Sequence, residues 1–171
     1  MTFRALWNDL RFYFRFDVQA CKILTLINTN HKLEVMNSDR VEIFFRTNGQ
    51  LNPYYCLEMD PLGRVLDYKS RYYRQFDYEW HWPGEKQLAV NAGYTGNGYF
   101  VEGSVTLESL KQLNLLHNHE LQAGLFRGEC IKLPDPEADF QWISWIQPAS
   151  KHPDFHIPSA FGTIKLVTSD E

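Results

Sequence analysis

Two-residue alternation of apolar and polar side chains runs through most of this chain and constrains its fold more than any other feature. Leu10, Phe12, Phe14, Phe16 and Val18 alternate with Arg11, Tyr13, Arg15 and Asp17. Val41, Ile43 and Phe45 alternate with Arg40, Glu42, Phe44 and Arg46, and Tyr55, Leu57 and Met59 with Tyr54, Cys56, Glu58 and Asp60. Successive side chains of a strand point to opposite faces, so each run buries one set and turns the other outward. Segments 64–69, 72–82, 86–94, 99–106, 121–132, 140–147 and 162–168 read the same way. Turn sequences separate them: Thr47-Asn48-Gly49, Asp60-Pro61-Leu62-Gly63, Pro83-Gly84, Gly96-Asn97-Gly98 and Leu133-Pro134-Asp135-Pro136. Many short strands at this spacing predict an all-β chain, a two-sheet antiparallel β-sandwich of jelly-roll or immunoglobulin-like type. One short helix is expected near 106–113, where Thr106 can cap and Leu107, Leu110 and Leu113 recur at helical spacing. The length of 171 residues fits a single domain over 1–171.

Charge narrows the partners. With 17 basic and 21 acidic residues the formal net charge is -4, which offers no basic footprint for nucleic acid or an anionic membrane. Aromatic residues make up 15% of the chain, a share that suits sheet faces and also stacking on sugars and other flat ligands. Cys21, Cys56 and Cys130 are far apart and odd in number, so three reduced thiols are expected rather than a disulfide or a paired-Cys zinc site. Arg and Asp interrupt the opening MTFRALWNDLRFYFRF throughout, and no window reaches 18 apolar residues. The expectation is a soluble chain that stays in the compartment where it is made, or a mature chain whose leader has been removed.

No nucleophile elbow, phosphate-cradling glycine loop or H-E-x-x-H motif is present. His152 and His156 are four apart, but Pro153 and Pro158 work against the helix that would align them on a metal. His117 and His119 flank Asn118 in a polar connection. Trp80 and Trp82 flank His81, which makes them either a stacking platform or sheet-face packing. Glu42 is the outward partner of Val41 and Ile43: either a strand carboxylate paired with Arg40 or Arg46, or an acceptor for ligand hydroxyls on a concave face.

Several runs resemble family 9 carbohydrate-binding modules and their DOMON-like relatives. Leu6-Trp7-Asn8-Asp9-Leu10-Arg11-Phe12-Tyr13 is similar to that family's W-x-D-x-x-L-Y strand, and Asp39-Arg40-Val41-Glu42-Ile43-Phe44 to its D-x-V-E-I-F strand. Tyr54 through Gly63 resembles Y-x-x-F-E-I-N-P-x-G, with Asp60 in the Asn place. Val101-Glu102-Gly103-Ser104-Val105, Leu125-Phe126-Arg127 and Ile143-Ser144-Trp145 resemble W-x-x-E-x-x-I, N-x-Y-R and S-W, and residues 153–164 the closing P-x-F-H-x-P…F-G-x-L. The order holds over roughly residues 5–166.

The resemblance implies a β-sandwich that binds carbohydrate without catalysis, linked to degradation of xylan- or cellulose-type polysaccharides, with no cofactor. Founding members hold a sugar between two Trp rings. Here Met36 and Phe155 stand in those two places, Gly124 replaces the Asn before the N-x-Y-R tyrosine, and Glu42 is kept. The expected site lies under the loops 31–39 and 147–161, over the strand bearing Glu42. Met36 and Phe155 would form its walls, Glu42 and Arg127 would bond sugar hydroxyls, and His156 and Trp145 would sit at or behind the rim. The family's opening strand upstream of W-x-D is expected to be missing. Two alternatives follow from relatives: haem held by Met36 with His156 or Lys151 opposite, or a glycoside hydrolase (endoxylanase), which needs two carboxylates across a cleft.

Overall fold

The computed structural model describes residues 1–168. Among these residues twelve strands form: β1 (Thr2–Trp7), β2 (Arg11–Gln19), β3 (Arg40–Arg46), β4 (Tyr54–Met59), β5 (Val65–Arg71), β6 (Gln75–Asp77), β7 (Leu88–Thr95), β8 (Gly98–Thr106), β9 (Leu116–His117), β10 (Glu120–Lys132), β11 (Asp139–Ser144) and β12 (Gly162–Lys165). The smaller sheet has the order β1-β2-β8-β7. The larger runs β11-β10-β3-β4-β5-β6, with β9 and β12 also pairing β10. Every pairing is antiparallel. This is the predicted sandwich.

The inner faces meet in one core. Phe12, Phe14, Phe16 and Val18 of β2 pack with Val41, Ile43 and Phe45 of β3, Leu57 and Met59 of β4, and Tyr99, Val101 and Val105 of β8. These are the alternating sets read from the sequence; removing them from water is the main force that closes the two sheets. The helix α1 (Leu107–Gln112) lies where expected. Thr106 Oγ1 accepts the Ser109 amide, and Leu107 and Leu110 turn into the core. The Asp60-Pro61-Leu62-Gly63 turn is held by Asp60 Oδ1, which accepts the Leu62 and Arg64 amides at 3.0 Å each. Gly63, with φ +79°, supplies the left-handed residue.

Two expectations change. The opening strand is present: β1 pairs β2, placing Phe3 against Phe16 at 4.9 Å and Trp7 opposite Phe12. Of the run 72–82 only β6 joins the sheet. Beyond it the Trp82 amide donates to Asp67 Oδ2 at 2.7 Å and its indole to Ser109 Oγ at 3.0 Å, so the chain leaves the ladder to plug the core. Trp80 and Trp82 therefore pack against Tyr55 and Phe45 and form no exposed platform. Among the described residues no helix is long and apolar enough to cross a membrane.

Candidate functional site

The outer face of the larger sheet carries a second apolar cluster, built from the strand positions that alternation turns away from the core. Phe44 of β3, Tyr54 and Cys56 of β4, Leu66 and Tyr68 of β5 and Phe126 of β10 are covered by two non-strand segments. One is a 3-10 turn, Lys32–Asn37, contributing Val35 with Met36 beside it. Arg64 ties this segment down: its guanidinium reaches Glu34 Oε2 at 2.9 Å, Asp60 Oδ2 at 2.7 Å and the Leu26 carbonyl at 2.7 Å. The other is the Pro-rich stretch carrying Phe155, Ile157, Ala160 and Phe161. The two loops predicted to frame a site thus converge on the sheet face that bears Glu42.

Beneath them lies a charged cluster. Glu42 of β3 sits opposite Glu58 of β4, and Arg40 lies between the two carboxylates. Arg40 Nε donates to Glu42 Oε1 at 2.8 Å and lies 2.7 Å from Glu58 Oε2. A single N–H can point at only one of them, so the second contact is ionic rather than a directed bond. The Tyr68 hydroxyl donates to Glu58 Oε1 at 2.8 Å, and Arg40 Nη1 donates to the Met36 carbonyl at 3.0 Å. Burial, followed by the Glu58 charge, pushes the Glu42 carboxyl up to about 8, with Arg40 opposing. Of the two sequence readings of Glu42, pairing with Arg40 is realised, but the pair is buried rather than solvated.

The six expected site residues separate. Glu42 is 2% exposed and spent on Arg40. Arg127 is 3% exposed and leaves the opposite face of its strand, opposite Val41, where it meets Asp39 Oδ1 at 3.3 Å. It therefore cannot share a ligand with Glu42, because one strand step reverses the side chain. Trp145 is 44% exposed, follows the last residue of β11, and lays its ring against Gly162, where a Cβ would come within 2.9 Å. Met36 lies partly buried against the apolar cluster.

Phe155 stacks flat on Phe126, centroids 4.2 Å apart and planes 9° from parallel. His156 Nδ1 is 2.9 Å from the Tyr54 hydroxyl, and its ring stacks on Phe44 at 5.3 Å. Burial drives the imidazole down to about 3, so it is neutral at ordinary pH. His156 thus anchors the loop, its ring packed against Phe44 and Phe76 and its Nδ1 on the Tyr54 hydroxyl. The Asn-to-Gly change at 124 has a steric reason: a Cβ there would lie 2.4 Å from Phe126 Cζ.

An opening on this side of the molecule lies one step away, at β11. Trp142, Ser144, Gln147, Pro148, Ser150, Lys151, His152, Pro153 and Phe155 line a cup of about 310 Å³. That is near the lower end of small-molecule sites and suits one sugar ring. The Trp142 ring meets Phe155 edge to face at 5.4 Å, and the Arg40 guanidinium lies 5.1 Å from the indole centroid. The indole thus joins the cup to the buried cluster. Sequence reasoning passed over Trp142 in favour of Trp145. The usable signal was register: Phe140, Trp142 and Ser144 alternate on β11, and Trp142 and Ser144 face Gly128 and Phe126.

Comparison with known proteins follows this geometry. A family model described as carbohydrate family 9 binding domain-like matches residues 1–169. No curated protein matches the sequence. Three solved structures share the fold at 16% identity each. A Bacteroides uniformis protein for which carbohydrate binding has been suggested has a TM-score of 0.70, covering 96% of this chain and 77% of its own. A family 9 carbohydrate-binding module from Caldicellulosiruptor kristjanssonii in complex with glucose has a TM-score of 0.62, covering 99% and 78%. A module from the same organism in complex with cellotriose has a TM-score of 0.58, covering 96% and 73%.

Proposed function

This chain belongs to the carbohydrate family 9 binding domain-like family, and from that premise we propose that it binds carbohydrate without catalysis, with the sugar in the cup beside β11. The observation that carries this reading is the cup itself: an indole and a phenyl ring beside the polar groups of Ser144, Gln147 and Ser150. A pyranose has an apolar C–H face and a polar rim, so it needs a ring to lie on and partners for each hydroxyl it removes from water. Trp142 supplies the first need, and Ser144, Gln147 and Ser150 the second. Phe155 keeps its role as a wall, while Met36 and His156 secure the two loops that frame the cup. Glu42 acts from below, fixing Arg40 against the indole.

A role in breakdown of xylan- or cellulose-type polysaccharide is part of the proposal, as is action of residues 1–171 as one binding domain; family membership supports the former and the core shared by the two sheets the latter. The reading without catalysis is supported by burial: Glu42 and Glu58 face each other but are 2% and 5% exposed and engaged with Arg40, so neither reaches a leaving group across a cleft.

Calorimetric or NMR titration with glucose and cellotriose tests the reading. Saturable binding that weakens at least about tenfold in Trp142→Ala is expected, the loss of one buried aromatic contact. Binding indifferent to Trp142 would move the site elsewhere; no binding to any sugar in a broad panel would end the proposal.

A further inference from the structure

The charge of the cup points to a narrower ligand class. Among its lining residues the ionisable side chains are Lys151 and His152, and neither an Asp nor a Glu is among them. Arg40, against the far side of the indole, is offset by Glu42 and Glu58 and adds no free charge, which leaves Lys151 as the fixed cation of the cup. The nearby carboxylates are committed elsewhere. Asp154 accepts from Tyr73 at 2.6 Å and Arg74 at 3.0 Å, and Glu42 and Glu58 are held by Arg40 below the surface. The cup therefore offers a ring to stack on, hydroxyl partners, and positive charge with no acidic side chain in its lining to balance it. A wholly neutral sugar satisfies the first two and leaves the third unused.

We infer that the cup selects a sugar bearing a carboxylate, a hexuronic acid, as free sugar or chain end. This rests on the cup being the sugar site. The carboxylate of a hexuronic acid is equatorial on the ring carbon, so it projects from the rim while the C–H face remains free for Trp142. It would lie toward Lys151 and His152, whose loop is held by Ser150 Oγ donating to the His152 carbonyl at 2.7 Å and by the Ala149 amide donating to Ser159 Oγ at 2.9 Å. A charge-assisted bond is stronger than a neutral one and weakens with salt where it is exposed.

The test is titration of the full chain with glucuronate, methyl β-glucuronoside, glucose and acetate, at low and high salt. Glucuronate should bind at least about fivefold tighter than glucose at low salt, with the advantage shrinking as salt rises. The methyl glycoside separates the two sources: retained affinity means a non-reducing chain end is accepted, and lost affinity means the ligand must carry a free anomeric hydroxyl, as the free sugar or a reducing end does. Lys151→Gln should bring the glucuronate-to-glucose ratio close to one, while Trp142→Ala should weaken both sugars. Glucose binding as tightly as glucuronate overturns the inference and leaves the sugar reading intact. Acetate competing as well as glucuronate reduces the cup to an anion site and overturns it too. Failure of every sugar overturns both.

Discussion

The outer faces of the two sheets start from the same strand pattern and end in opposite environments. On the smaller sheet the outward positions stay open: Arg15 bridges Asp17 at 2.9 Å and Glu102 at 2.6 Å, Arg4 pairs with Asp17, and Leu6 is 76% exposed. On the larger sheet the equivalent positions of β3 and β4 are buried, and the same residue types, Arg40, Glu42 and Glu58, form a sealed ionic cluster. No local difference in alternation separates the faces. What separates them is that, among the described residues, two long connections fold back over one sheet and none over the other. Exposed pairs are screened by water, whereas covered ones depend on one another to offset their lost hydration.

That contrast can be broken most forcefully at Arg40. Arg40→Gln leaves two carboxylates buried against one another and should cost about 3–5 kcal/mol in urea unfolding. A loss below about 1 kcal/mol would mean the cluster is far wetter than its burial indicates. Phe155→Ala removes a ring stacked on Phe126 and should cost about 3 kcal/mol. Unfolding by denaturant, read together with sugar titration, separates lost stability from lost binding.

Acid should strike the covered face. The folded-state value of His156 lies near 3, below that of the unfolded chain. Its contribution is therefore whole above about pH 6.5 and drains as pH falls toward 3. By pH 5 the His156 contribution should be about 2 kcal/mol smaller, set against an opposing gain from the raised Glu42 carboxyl, so the difference between the wild-type and His156→Gln stability profiles isolates it. An unchanged slope would show that the loop admits a charged imidazole.

The smallest effect belongs to the open face. Arg15→Ala should cost less than about 1 kcal/mol despite losing two ion pairs, and should cost still less in high salt. A loss comparable to that of Arg40→Gln would erase the distinction between the faces.

Alternation, turns and capping are local, and the sequence carried most of them, the exception being the run 72–82, of which only β6 joins the sheet. The inward sets of β2, β3 and β4, the turn at Gly63 and the helix begun by Thr106 follow from the spacing of neighbouring residues. The convergence of the 31–39 and 147–161 loops over Glu42 was legible too, through ordered motifs. What the sequence left open depended on partners distant in the chain. Nothing near Glu42 states that Glu58 lies opposite it and shares its arginine. The run around Arg127 shows its face only once β10 is registered against β3, and Trp142 is distinguished from Trp145 only by the end of β11. Hydrophobic periodicity fixes which way a side chain points within its own strand. Which loop covers it, and whether a charge there meets water or another charge, is settled when segments a hundred residues apart compete for the same surface.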